Sequence, residues 1–250
     1  MTITLPALAK ESGHFYYRDG SPAYFVENKS KPGQMRPTTL RDCRKLGLKP
    51  SVTLIIGESN KPGLVNWKMN QVLLSALTLT RTDGETDEAF MQRIRQDAAE
   101  QAKKAAERGT QIHGWIEQGL SGGYVPDEGV EFVELAWKEL KPLKQEWSHE
   151  KSFATERYGG KVDLHSTAGI VIDIKTNEKP VADATLWDDH AMQLAAYRFG
   201  LDMPNADCGI LFVNHKGMES RLVMAEEKHL RRGMMMFNAL LDYYYAKTGL

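Results

Sequence analysis

The sequence predicts an α/β or α+β domain with a mixed central β-sheet flanked by helices, and three observations predict it. Helical patterns dominate from about residue 64 to residue 140. Short alternating or β-branched segments follow between residues 146 and 176. Helices then resume around one more pair of strand-like segments. Segregated runs of this kind point to a sheet covered by helices. The 250 residues are 42% hydrophobic and 26% charged, enough for one sizeable core and too apolar for general disorder. The expected organisation is a hairpin, basic arm and helical region over residues 1–85, followed by the main domain over 86–250.

Taken in order, Tyr16 to Val26 carries Asp19-Gly20 between aromatic-rich arms and reads as a hairpin. The basic stretch Lys29–Lys49 holds Lys31, Arg36, Arg41, Arg44 and Lys45, and fits either a solvated arm with a short helix or a phosphate-contacting surface. Ser51 to Ile56 forms a short element ending at Gly57. A helix carrying Trp67 is expected over Leu64–Leu79, broken by Thr82, Asp83 and Gly84. The longest helical pattern runs from Thr86 to Gln118, with Phe90, Ile94, Ala98, Ala102, Ala105, Ile112 and Ile116 near helical spacing and a possible new start at Gly109-Thr110. Another helix spans Glu128–Leu140, ended by Pro142. Strands are expected over Glu146–Ala154, Tyr158–Ser166 and Gly169–Thr176, the last two joined at Thr167-Ala168-Gly169. A helix over Asp189–Leu201, a strand over Cys208–Asn214 with partner Leu222–Ala225, and a terminal helix over Glu226–Tyr245 complete the chain.

The net charge of -1 supplies no global attraction for nucleic acid, so any such surface must be local. The opening MTITLPALAKESGHF lacks a basic segment followed by an apolar one, and no apolar run approaches the roughly 20 residues of a membrane span. A cytoplasmic location without membrane contact is the expectation. Cys43 and Cys208 supply neither a disulfide framework nor a C-x-x-C or iron–sulfur pattern, and are expected as buried thiols.

Chemistry concentrates between residues 159 and 176. If Ile170 to Thr176 is a strand, Asp173 and Lys175 share one face while Ile172 and Ile174 enter the core. The preceding strand, turned back antiparallel, brings Asp163 within reach of that face. Two close carboxylates repel unless a cation neutralises them, and hard oxygen ligands suit magnesium or manganese. Lys175 could orient or deprotonate water, or stabilise charge on a phosphate. An ordinary ion pair on an amphipathic hairpin has the same local pattern.

The run Asp163, then Asp173-Ile174-Lys175 about ten residues on, then Gln193 and Tyr197 as Q-x-x-x-Y, resembles the RecB-type branch of the PD-(D/E)XK nucleases. Gly109 to Glu117 is similar to that branch's G-T-x-x-H-x-x-x-E helix. Pro50-Ser51-Val52-Thr53 and Trp67-Lys68 are similar to motifs of mitochondrial genome maintenance and phage exonucleases. The resemblance covers roughly residues 50–200. It implies a restriction-endonuclease-like core with an N-terminal helical extension, acting as a magnesium- or manganese-dependent deoxyribonuclease on DNA with single-stranded character in replication or recombination. It further implies a metal held by His113, Asp163, Asp173 and the carbonyl of Ile174, with Lys175 as catalytic lysine. Glu150 stands near the place of a family glutamate, with Glu146 and Glu156 competing, and Glu117 shares a helix face with His113.

Gln193 and Tyr197, one turn apart, could brace the lysine, contact the DNA backbone or pack on the sheet. His165 and His190 are given no role. Trp67 or Trp115 could stack a base. The alternatives retained are a structure-selective endonuclease with the same centre and a catalytically idle DNA-binding subunit. Cluster-bearing relatives are excluded by the cysteine count.

Overall fold

The computed structural model describes residues 14–250, with the side chain of Glu150 outside the described part. A five-stranded mixed sheet lies between two helical layers. Its strands β5 (Trp147–Ala154), β6 (Gly159–Ser166), β7 (Ile170–Asn177), β8 (Asp207–Asn214) and β9 (Glu219–Met224) lie in sequence order. All neighbours are antiparallel except β7 and β8, which are parallel and joined through helix α6 (Asp188–Gly200). The β6–β7 turn ends on Gly169 at φ 95°, a left-handed conformation that glycine adopts without strain.

The central strands are apolar on both faces, as a doubly covered sheet requires. On one face Leu164, Ile172, Ile174, Leu211 and Val213 pack against Ile112, Trp115 and Ile116 of α4 (Asp87–Leu120) and Phe132, Ala136 and Leu140 of α5 (Asp127–Leu140). On the other, Val171, Cys208, Ile210 and Phe212 meet Met192, Leu194 and Ala196 of α6 and Leu230, Phe237 and Leu241 of the C-terminal helix α7 (Glu227–Thr248). Cys43 and Cys208 lie fully buried in separate clusters, and burial pushes their thiols up to about 11 and about 12.

The 34-residue α4 is continuous, which corrects the expected break at Gly109-Thr110. Thr110 does not cap; its hydroxyl donates back to the Ala106 carbonyl at 3.1 Å. Gly109 has a packing reason, since a Cβ there would stand 2.9 Å from Thr176 Oγ1 on β7. Ala105 is exposed despite its place in the apolar pattern, so the middle of α4 stands clear of the core. Its first half packs on α3 (Pro62–Thr78) through the Ser75 hydroxyl, 2.8 Å from Asp97 Oδ2.

The expected hairpin around Asp19-Gly20 is present. The turn has Gly20 at φ 88°, and its flanks pair antiparallel, the Tyr17 N–H donating to the Ser21 carbonyl at 2.9 Å and the Ala23 N–H to the Phe15 carbonyl at 2.8 Å, while both arms also find partners further along the chain. β1 (Phe15–Tyr16) pairs with β4 (Lys49–Pro50), and β2 (Phe25–Glu27) with β3 (Met35–Pro37). The basic stretch is therefore a strand followed by helix α1 (Leu40–Leu46), held by the bidentate Arg36–Asp42 pair and by Arg44 donating to the Thr248 carbonyl. Ser51 caps α2 (Val52–Ile56), accepting from Leu54 N at 3.0 Å, and this short helix buries Val52, Ile55 and Ile56 in the α6–α7 core. No helix among the described residues is long and apolar enough to cross a membrane.

The α6–α7 contact is close enough to test. A Cβ on Gly233 would stand 2.4 Å from the Ala191 carbonyl oxygen, and backbone cannot swing aside. Helix propensity alone would make Gly233→Ala stabilising by about 1 kcal/mol. The expected outcome is the opposite, a loss of about 1–3 kcal/mol in urea denaturation from overpacking. A variant as stable as the wild type would show that the two helices do not approach this closely.

Candidate active site

The site lies where two neighbouring strands part. The β6–β7 ladder begins at Ser166 opposite Ile170 and ends at Leu164 opposite Ile172. Beyond that point β6 continues beside β5 to Gly159, and β7 continues beside β8 to Asn177. Asp163 and Asp173 are the next residues on the two strands and flank the opening of this fork. The Ile174 N–H, released from the ladder, donates to Asp163 Oδ2 at 2.7 Å, so a side chain takes the place of a strand carbonyl.

Strand alternation turns Ile172 and Ile174 into the α4–α5 layer and Asp173 and Lys175 to the opposite face. Asp173 is 3% exposed. Its Oδ1 accepts from Gln193 Nε2 at 2.9 Å, and the same amide nitrogen donates to the Tyr197 hydroxyl at 2.9 Å. Gln193 and Tyr197, one turn apart on α6, therefore hold Asp173 rather than Lys175. The Tyr197 ring lies edge-on to Phe153, and a Cβ on Gly160 would stand 3.1 Å from it, so the glycine at the start of β6 makes room for this brace.

Lys175 Nζ lies 2.7 Å from Asp173 Oδ2, an ion pair in which that buried oxygen has no other partner. His113 comes in from α4, its Nδ1 3.8 Å from Asp163 Oδ2. Four of the expected residues, His113, Asp163, Asp173 and Lys175, are thus brought together from three elements.

The remaining candidates divide. Ile174 contributes its N–H to Asp163, and its side chain is fully buried. Glu117 is partly buried one turn after His113. With His149 opposite Leu164 and Lys151 opposite Val162, the backbone of position 150 passes Asp163, but the Glu150 side chain is outside the described residues. Its competitors Glu146 and Glu156 are exposed at the two ends of β5. Trp115 is core, 6% exposed and stacked on Phe132 at 5.9 Å, which removes it as a base-stacking residue. Trp67 on α3 is 37% exposed.

Three residues were missed. Asp189 and His190 lie on α6 four and three residues before Gln193, a spacing that puts them on its face and was legible in the sequence. The His190 ring meets Phe212 edge-on at 5.6 Å and lies close enough to feel the charges of Lys175 and Asp173. Lys61, ahead of α3, reaches Asp189 across space at 3.6 Å, and no local pattern announced it.

No family model matches the chain, and no curated protein matches it. Among solved structures it is similar to an alkaline exonuclease, LHK-Exo, from Laribacter hongkongensis, with 8% identity and a TM-score of 0.39 over 80% of this chain and 93% of that one. It is also similar to a phage-related exonuclease from Haemophilus somnus 129PT, with 14% identity and a TM-score of 0.31 over 77% and 90% of the two chains. At these scores the reading of the site rests on its own geometry.

The electrostatics follow from burial. Desolvation, then the charge of Asp173, raises the Asp163 carboxyl to about 7, against the pull of the Ile174 N–H. Desolvation lowers His113, which leaves a neutral imidazole with a lone pair to give. Burial also opposes the Lys175 ammonium, but the adjacent charges of Asp173 and Asp163 outweigh it and hold the proton on. The charges of Lys175 and Lys161 act on Asp163, and Lys175 pairs with Asp173, but two carboxylates remain side by side. Asp173, Asp163 and a neutral His113 form a donor set that fits a hard divalent cation. Among the described residues no three such side chains stand in coordinating geometry, so an ion held here would require the donors to move closer together.

That burial, with the repulsion from Asp173, has a stability consequence. Asp163 has a folded pKa of about 7 against 3.8 for the free carboxyl, so the folded state holds a proton the unfolded chain releases, and stability falls as pH rises through that interval. In EDTA, Asp163→Asn is expected to gain on the wild type by about 1 kcal/mol or more on going from about pH 4 to about pH 8 in urea denaturation. A gain equal at both pH values would mean that Asp163 is not held protonated.

Proposed function

We propose that the chain is a magnesium- or manganese-dependent deoxyribonuclease that hydrolyses phosphodiester bonds from DNA ends. The observation that carries the reading is the meeting of His113, Asp163, Asp173 and Lys175 at the β6–β7 fork, with two carboxylates side by side. Asp163 and Asp173 would hold the ion, with His113 and the Ile174 carbonyl completing its protein ligands. When bound, such an ion polarises a phosphate and lowers the pKa of water beside it.

The protein's own groups supply the rest. Lys175, kept as an ammonium by the two aspartates, stabilises charge gathering on the phosphoryl oxygens. Gln193 and Tyr197 fix the orientation of Asp173. Water adds its oxygen to phosphorus, the bond from phosphorus to the 3′-oxygen breaks, and the departing oxygen takes a proton, leaving 5′-phosphate products.

End-dependent action follows from the resemblance to RecB-type exonucleases. Single-stranded character is supported by α3. Only Ser75 of its 17 residues is buried, Trp67, Met69, Leu73, Leu74 and Leu77 are exposed, and it contains no acidic residue. Unpaired bases find an apolar and aromatic surface there that a duplex could not use.

In magnesium, Asp173→Ala or Lys175→Ala is expected to cut the rate on end-labelled linear single-stranded DNA by about 100-fold or more. Excess EDTA should abolish cleavage. Wild-type rates in either variant, or activity in EDTA, would defeat the assignment, and a circular strand degraded as fast as a linear one would defeat end-dependence. Gln193→Leu should raise the magnesium concentration needed for half-maximal activity by about 10–100-fold, as expected when a ligand loses its brace. An unchanged magnesium requirement would make Gln193 a packing residue.

A further inference from the structure

Lys61 occupies the N-cap position of α3 without a side-chain cap hydrogen bond. Helix starts favour Ser, Thr, Asp or Asn, whose oxygens accept the free N–H groups, and their partial positive charge disfavours a cation. Local energetics therefore argue against lysine here. Its ammonium instead reaches α6, 3.6 Å from Asp189 Oδ2, with the two side chains 34% and 35% exposed. That separation exceeds a hydrogen bond, and exposed pairs contribute little to stability.

The pair stands at the rim of the fork. The Asp189 charge is felt at Lys175, and that of Lys61 at His190, which also feels Asp173 and Lys175. Because α3 carries no acidic residue, Asp189 on the neighbouring helix serves as counter-charge for Lys61.

We propose that Lys61 is a second phosphate-binding cation of this site, resting beside Asp189 in the free protein and exchanging onto a backbone phosphate of the DNA strand. The proposal rests on the nuclease reading above. With Lys175 on β7 and Lys61 at the start of α3, a strand entering the fork is held from two elements, and Asp189 competes with the phosphate for Lys61.

The test is steady-state cleavage of a fluorescein-labelled linear single-stranded oligodeoxynucleotide in magnesium, over a range of KCl concentrations. Lys61→Ala should raise KM by about five- to tenfold with kcat little changed. The slope of log kcat/KM against log salt should fall in magnitude by about 0.7, the loss of one phosphate contact on a single strand. Lys61→Arg should keep wild-type KM and slope. Asp189→Asn should lower KM, because it frees Lys61 and removes a repelling charge.

A purely structural latch predicts that Lys61→Ala and Asp189→Asn both raise KM. That result, or unchanged KM and slope in Lys61→Ala, would overturn the proposal while wild-type cleavage leaves the nuclease reading standing. A wild-type protein that cleaves no DNA would overturn both.

Discussion

Asp163 and Asp173 sit on adjacent strands at the point where the backbone ladder between those strands ends. A buried carboxylate needs donors or a counter-charge, and two side by side need more of both. Much of the surrounding structure answers that need. The Ile174 N–H serves Asp163, the Gln193 amide and the Lys175 ammonium serve Asp173, and His113 waits 3.8 Å from the first carboxylate. The Lys175 ammonium is the one group that meets Asp173 Oδ2. Two carboxylates held this close have the chemistry to share a divalent cation.

The two helical layers enforce this arrangement from opposite sides. α4 buries Ile112, Trp115 and Ile116 against the sheet, which fixes the height and rotation of His113 between them. Gly109, one turn earlier, lets the helix come down on Thr176 at the end of β7. On the other face α6 is locked to α7 at Gly233, and so presents Gln193 and Tyr197 to the fork on a rigid support. Side chains that must hold one carboxylate oxygen in place come from elements whose cores have little freedom to move.

Several local rules are broken at the site. A carboxyl is buried until its pKa nears 7, two carboxylates lie side by side, and a lysine stands where a helix wants an acceptor. Thr39 and Asp42 form a capping box on α1, Ser51 caps α2 and Thr86 caps α4, whereas α5 and α7 start at Pro126 and Glu226 with no side-chain cap.

The order and type of the main elements, the alternation that puts Asp173 and Lys175 on one face, and the i, i+4 pairing of Gln193 with Tyr197 were all legible in the sequence. They depend on strand and helix periods that each residue shares with its immediate neighbours. Tertiary structure decided what local periods cannot carry. The arms of the Asp19-Gly20 turn pair with each other and also with Lys49–Pro50 and Met35–Pro37, because a strand has a second edge whose N–H and C=O groups only longer-range partners can fill. Gln193 and Tyr197 brace an aspartate and not the lysine, and Trp115 packs in the core, because helix docking sets which side chains touch. Lys61 and Asp189 meet across two helices far apart in the chain. The sequence by itself determined which chemical groups share a face; the ending of one strand ladder and the docking of three helices on it decided which faces meet.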